Sequence, residues 1–271
     1  MTGVSLFMRS KSILVLAVLL AACGGAPPQA KPVLLQRADA AALAANRAAQ
    51  VGNDEEAADL WRSALTLRQA IDDWSGAGEA RLGLAQVLVR LHRSDDAVRA
   101  IDGMPTDALF PDQQRARAAY QLAVIDTGAG HLSDARLHLK LAVSLCGAMC
   151  PIPVPLQNLD ARLLLLEGDA AGALSRASTS IDAGSVERAH AGRIRAESLG
   201  ALGRSAEALA ELRGVILLDR QLAEPAYLAD DYALQLRLAE SVGDAVLAAQ
   251  AQARLDRICA AASVRACQEW R

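Results

Sequence analysis

Small residues recur along the chain with a spacing of 35 to 40 residues. In each copy a residue that can end a helix, usually Gly, is followed five positions later by Ala. The pairs are Gly52 with Ala57, His92 with Ala97, Gly130 with Ala135, Gly168 with Ala173, Gly203 with Ala208, and Gly243 with Ala248. Seven positions before each pair stand Ala45, Ala85, Ala123, Ala161, Ala196 and Leu236. Regular spacing of this kind indicates an internal repeat.

Each copy has the pattern of a helical hairpin. Gly accepts the left-handed conformation that ends a first helix. Polar residues just after it, such as Asn53, Ser94, Ser133 and Ser205, are typical N-caps of a second helix. Small residues on both sides of the turn allow the two helices to approach closely. Because one hairpin cannot bury its own apolar face, we expect successive hairpins to stack.

The repeat predicts six hairpins. The first helices are predicted near 37–51, 76–91, 112–127, 156–167, 186–202 and 226–242. The second helices are predicted near 54–71, 95–102, 133–146, 169–181, 205–220 and 244–260. Segments 101–105 and 151–155 contain Pro, which does not continue a helix, so both are predicted to be loops.

Composition agrees with an all-α fold class. Hydrophobic residues make up 52% of the 271 residues but aromatic residues only 3%, so Ala and Leu, the strongest helix formers, dominate the apolar positions. The formal net charge of -3 provides no basic surface of the kind that nucleic acids need. We therefore expect no nucleic-acid partner.

The repeat resembles the tetratricopeptide repeat (TPR) family over residues 36–260. The matching features are the small residue of the first helix, the turn Gly and the Ala of the second helix, and Trp61 stands where the family places Phe. The family's other large aromatic residues and its closing Pro are mostly absent. The resemblance implies a right-handed α-solenoid of about six TPR-like hairpins, with a different α-solenoid as the alternative.

The resemblance also implies that one face of the first helices lines a concave protein-binding groove. At the corresponding positions of this sequence, that face carries Asn46, Gln50, Gln86, Arg90, Arg117, Tyr120, Asn158, Arg162, His190, Arg193 and Arg237. Its Arg and amide groups suggest an extended acidic or C-terminal peptide as ligand, with Arg forks holding carboxylates. The alternative is that these are ordinary solvated positions.

The N-terminus has the pattern of a targeting segment. Arg9 and Lys11 precede an apolar run of about ten residues, which is too short to span a membrane as a helix but suits a signal peptide. The run ends in Leu20-Ala21-Ala22-Cys23, which resembles the bacterial lipobox. The resemblance implies a signal peptide over 1–22, acylation (palmitate included) of Cys23, and a Gly/Pro-rich tether over 23–35. Gly24, in a place where Asp would retain the protein, predicts the periplasmic face of the outer membrane. An ordinary secretory signal or a buried helix is the alternative.

Four further cysteines are expected to form two local disulfides. Cys146 and Cys150 lie at the end of the third predicted hairpin, and Cys259 and Cys267 at the end of the sixth. Stacked helices separate the two pairs by tens of ångströms at about 8–10 Å a layer, whereas a disulfide needs Cα atoms within about 7 Å. The pairs Cys146–Cys150 and Cys259–Cys267 are therefore predicted, and the second would hold a C-terminal tail over 261–271.

No pattern in the sequence indicates catalysis. The four His are scattered, and no nucleophile elbow, phosphate loop or dinucleotide fingerprint is present. We expect no enzyme activity, cofactor, metal or small-molecule substrate. The expected function is a lipid-anchored periplasmic scaffold that binds envelope proteins or peptides, in β-barrel insertion, pilus or secretin assembly, or cell-wall machinery. A cytosolic-type TPR sensor module, a passive spacer and, last, a hidden hydrolase are the alternatives.

Overall fold

The computed structural model describes residues 31–147, 150–177, 184–262 and 264–270. The expected signal peptide, the acylated Cys23 and most of the expected tether lie outside these residues. Within them the chain forms thirteen α-helices and no strand. None of these helices is long and apolar enough to cross a membrane.

Twelve of the helices form six hairpins, as the repeat predicts. The hairpins are α1 (Val33–Gln50) with α2 (Asp54–Ala70), α3 (Trp74–Arg90) with α4 (Ser94–Ile101), α5 (Asp112–Ala129) with α6 (Leu132–Cys146), α7 (Pro153–Leu166) with α8 (Ala170–Ala177), α9 (Ser185–Ala201) with α10 (Ser205–Leu222), and α11 (Pro225–Ser241) with α12 (Ala245–Ala261). The last helix, α13 (Arg265–Trp270), lies in the expected tail.

Two helix starts differ from the prediction. Helix α1 begins at Val33, inside the segment expected to be tether. Helix α7 begins at Pro153, inside the expected loop. Pro at the first helical position loses no hydrogen bond, because that N–H has no partner within a helix, so here it starts the helix.

The repeated turn residues adopt the predicted left-handed conformation. All five repeat glycines have positive φ, from 73° at Gly243 to 90° at Gly168. His92, which takes the Gly place in the second copy, has φ of 58°. A non-glycine residue in this conformation costs about 1–2 kcal/mol. The turn nevertheless keeps the same geometry where His92 replaces Gly.

Of the four predicted N-caps, Asn53 occupies the cap position, whereas Ser94, Ser133 and Ser205 do not. Ser94 and Ser205 are the first helical residues, and the cap is the residue directly after the left-handed position. Only where that residue is Asp does its side chain cap the second helix, as when Asp244 accepts the N–H of Leu247 at 3.0 Å. Asn53 takes the cap position, but its amide donates to Glu56. At Ser94 and Ser205 the turn is one residue shorter than the cap prediction assumed, and at Ser133 it is two residues shorter.

The hairpins stack in two layers around buried alanines. Each first helix contacts the next first helix, from α1 with α3 to α9 with α11, and each second helix contacts the following first helix. The repeat alanines of the first five copies are at most 1% exposed. Trp61 on α2 packs so closely on α3 that a Cβ at Gly83 would overlap the indole. The small residues therefore set the distance between the helices.

Both local disulfides are present. Cys146 and Cys150 join the end of α6 to the segment before α7, with Cα atoms 4.6 Å apart. Cys259 on α12 is bonded to Cys267 on α13, with Cα atoms 5.4 Å apart. Cys267 is buried, and α13 packs against α11.

Candidate protein-binding groove

The exposed face of the later first helices encloses a groove of about 820 Å³. Helices α5, α7, α9 and α11 form its walls, and Ala266 of α13 lies at its edge. Six of the ligand-binding candidates line it, namely Tyr120, Asn158, Arg162, His190, Arg193 and Arg237. We call this surface the first-helix groove.

The other candidates lie on the earlier helices and do not line this groove. Asn46, Gln50 and Gln86 are exposed. Arg90 pairs with Asp54, with Nε 3.1 Å from each carboxylate oxygen. Arg117 pairs with Glu79, with Nη1 2.7 Å from Oε1. The groove is thus confined to the last four hairpins, and the sequence period alone did not indicate that limit.

Arg162 does not offer a free guanidinium to a ligand. Its two terminal nitrogens bond to the carboxylate of Glu197, on the neighbouring first helix, in a two-pronged pair. The expected role of holding a ligand carboxylate does not fit this geometry, because both prongs are engaged within the chain.

Arg193 is likewise engaged, and it is buried. Its Nε donates to Asp231 Oδ1 at 2.7 Å, and its Nη2 donates to Asp219. The Arg193 side chain is 6% exposed and both carboxylates are 0% exposed. Asp231 lies within α11, about two turns after its start at Pro225. We call Arg193, Asp219 and Asp231 the buried triad.

The buried triad holds one more carboxylate than guanidinium. Asp219 Oδ1 and Asp231 Oδ2 have no hydrogen-bond partner in the described part of the chain. Burial raises the pKa of Asp231, and the neighbouring Asp219 adds to that effect against the opposing influence of Arg193. At a pH below the raised pKa of Asp231, a proton on that carboxyl group leaves one carboxylate beside one guanidinium.

A half-buried carboxylate and three aromatic rings form one corner of the groove. Asn158 Nδ2 donates to Glu187 Oε2 at 2.7 Å and to the Glu187 carbonyl oxygen at 3.1 Å. The rings of His190 and Tyr227 meet edge to face at 5.0 Å, and the Arg193 guanidinium lies 5.1 Å from the centroid of Tyr227. Tyr120 lines the same cavity from α5. We call Tyr120, Glu187, His190 and Tyr227 the aromatic corner.

Burial sets the charges of the aromatic corner. It raises the pKa of Glu187, against a smaller opposing effect of the hydrogen bond from Asn158. Burial, together with the positive charges of Arg193 and Arg162, lowers the pKa of His190 to about 4. His190 is therefore neutral at neutral pH. Burial also raises the pKa of Tyr120, and the carboxylate of Glu187 raises it further.

The repeat pattern did not indicate Glu187 or Tyr227 as groove residues. Glu187 precedes His190 by three positions on α9, and Tyr227 precedes Asp230 by three on α11. Residues three apart share a helix face. Extending the predicted face by one turn toward the start of α9 would have found Glu187, whereas Tyr227 lies ten positions before Arg237, the predicted residue of α11.

Outside the groove, the remaining candidates for chemistry are the histidine side chains and any group of side chains that could bind a metal ion. His138 contacts Asp126, with Nδ1 2.7 Å from Oδ2. Among the described residues no group of three or more His, Cys, Asp or Glu side chains is arranged to hold a metal ion.

No family model and no curated protein matches this sequence. Similar chains are found among solved structures. PilW, described as a widely conserved type IV pilus biogenesis factor, superposes with a TM-score of 0.61 at 14% identity, over 86% of this chain and 98% of PilW. PilF of Pseudomonas aeruginosa has a TM-score of 0.53 at 19% identity, over 88% of this chain and 98% of PilF.

A kinesin light chain of Podosopora anserina, described as having TPR-like repeats, has a TM-score of 0.53 at 17% identity, over 69% of this chain and 96% of that one. The chain has a TPR-like fold. Identity this low shows a shared fold and transfers no partner. The first helices lie next to one another in the array, as the repeat predicted.

Proposed function

We propose that this protein is a lipid-anchored periplasmic scaffold that binds an envelope protein in the first-helix groove and supports assembly of a type IV pilus machine. The observation that carries the proposal is the groove itself, which is open along four successive first helices and is lined by charged, amide and aromatic side chains. Such a surface suits an extended segment of a partner.

The choice of machine comes from the similar folds. PilW is described as a type IV pilus biogenesis factor, and both PilW and PilF are covered almost completely by this chain. Because these similarities concern only the fold, a role in pilus assembly is our proposal. The alternatives to be tested against it are β-barrel insertion and cell-wall machinery.

The anchoring part of the proposal comes from the sequence. Leu20-Ala21-Ala22-Cys23 follows a basic segment and a short apolar run, and an acyl chain contributes about 0.8 kcal/mol per buried methylene. Cys23→Ala should block acylation and move the protein from the membrane fraction to the soluble fraction. Unchanged fractionation and unchanged incorporation of labelled palmitate would exclude this anchor.

Site-specific photo-crosslinking in cells tests the binding surface. A photoreactive residue at Val124 or Leu166, both in the groove and at least 38% exposed, should capture one and the same envelope protein. If that protein belongs to the pilus machine, the machine is identified.

The matched control is Leu137, which is 66% exposed in a separate hollow of about 670 Å³ beside α6 and α7. Capture from Leu137 but not from the two groove positions would move the binding surface to that hollow. Capture from none of the three would leave a spacer without a partner and end the scaffold proposal.

A further inference from the structure

The charged side chains that line the groove differ in whether they form ion pairs within the chain. Arg162 is paired with Glu197, and Arg193 with Asp219 and Asp231. Of the acidic side chains that line the groove, Glu187 forms no ion pair with any described residue and accepts only from the amide of Asn158. The groove lining holds three Arg and three acidic side chains, and the two carboxyl groups of Asp219 and Asp231 lie directly behind Arg193.

The surroundings of Glu187 favour a cation over water. The carboxylate is half-buried, and a charge in that position is costly unless it is paired. Asn158 fixes one carboxylate oxygen and leaves Oε1 without a hydrogen bond within the described part of the chain. The rings of Tyr120 and Tyr227 line the same cavity. Aromatic rings attract cations to their faces and pack against the methylene stems of Lys and Arg.

We propose that the aromatic corner receives a basic side chain, Lys or Arg, from an extended partner segment, with Glu187 as its counter-ion. This inference rests on the proposed function and specifies its partner. It reverses the expectation of an acidic peptide, because two of the three Arg in the groove are already paired. The third, Arg237, is exposed on α11 and has no partner among the described residues.

Direct binding of synthetic peptides to the full protein tests the charge preference. Three twelve-residue peptides share one Gly, Ser and Leu background, carry a neutral dye, and bear Lys, Gln or Glu at the same positions. By fluorescence anisotropy the Lys peptide should bind about ten-fold more tightly than the Gln peptide. That preference should shrink as sodium chloride rises from about 0.05 M to about 0.5 M, since salt screens exposed charges.

Two variants assign the preference to Glu187. Glu187→Gln keeps an oxygen for Asn158 and should reduce Lys-peptide affinity about five- to ten-fold while leaving Gln-peptide affinity unchanged. Glu207→Gln removes an acid from the exposed surface of α10, outside the groove, and should change neither. Thermal unfolding followed by circular dichroism establishes that both variants fold.

Several outcomes overturn the inference. It fails if Glu187→Gln leaves the Lys peptide unaffected, or if none of the peptides binds. It also fails if the Glu peptide binds best and Arg237→Gln weakens it, because the acidic-peptide expectation then stands.

Failure of this inference is separable from failure of the proposed function. Crosslinks from Val124, together with a Lys-peptide preference that Glu187→Gln does not change, would support the scaffold and exclude the cation site. A Glu187-dependent Lys preference without any cellular crosslink would keep the site and remove the scaffold.

Discussion

Two of the Arg–carboxylate pairs that join successive first helices lie in opposite environments. Arg117 on α5 reaches Glu79 on α3, and Arg193 on α9 reaches Asp231 on α11; each pair spans 38 residues. The first pair is 35% and 50% exposed, and the second is 6% and 0% exposed. The same step of the repeat therefore gives a solvated contact in the third hairpin and a buried one in the fifth.

The difference shows what a repeat does and does not determine. Its period brings matching positions of neighbouring first helices together. Whether an ion pair there contributes to stability depends on solvent: an exposed pair contributes about 0–1 kcal/mol, whereas breaking a buried pair costs about 3–5 kcal/mol. The contrast between Arg117 and Arg193 can therefore be tested by identical substitutions.

The largest effect is expected from Arg193→Met. Removing the guanidinium leaves Asp219 and Asp231 buried without a cation, so the free energy of unfolding should fall by about 3–5 kcal/mol. The matched Arg117→Met should cost no more than about 1 kcal/mol. Urea unfolding followed by circular dichroism measures both.

A triple variant checks the cause. If the loss in Arg193→Met comes from orphaned carboxylates, adding Asp219→Leu and Asp231→Leu should recover most of it, since apolar replacements of buried ion networks are often well tolerated. Equal costs for Arg193→Met and Arg117→Met would contradict the comparison.

The second effect is a pH dependence of stability that comes from Asp231 of the buried triad. Burial raises the pKa of Asp231 in the folded chain above its ordinary value of about 4 in the unfolded chain. The folded state then holds a proton that the unfolded state releases, so stability falls as the pH rises from about 4 to the folded pKa.

Asp231→Asn should remove that dependence. Its amide oxygen still accepts from Arg193, and Asp219 alone balances the guanidinium. Between about pH 5 and pH 8 the wild-type protein should lose about 1 kcal/mol or more relative to this variant. Urea midpoints measured in parallel give the difference, and parallel pH profiles would mean that both carboxylates are ionised throughout.

The smallest effect is expected at the exposed pair. Glu79→Gln should cost about 0.2–1 kcal/mol, and that cost should disappear in about 1 M salt, where the screening length is about 3 Å. The cost of Arg193→Met should persist in the same salt. A salt-insensitive loss at Glu79 would point instead to its hydrogen bond with the buried Gln114, which donates to Glu79 Oε1 at 2.9 Å.

The sequence predicts the hairpins well because their determinants are local. The left-handed turn at Gly203 and the buried alanines on either side of it depend on residues within one copy. The sequence does not predict that Arg193 is buried. Its partners stand 26 and 38 residues away on two other helices, and no single helix period links them. Glu187 was missed for a different reason, since the predicted face stopped one turn short.

An array that grows by adding hairpins has no intrinsic length, and its last unit presents an unfinished face to the next copy. Here the bond between Cys259 and Cys267 joins α13 to α12, and α13 packs against α11. Cys267 lies in the same apolar cluster as Tyr232 and Leu255. Helix α13 therefore covers apolar surface of the sixth hairpin that the first helix of a further repeat would otherwise cover.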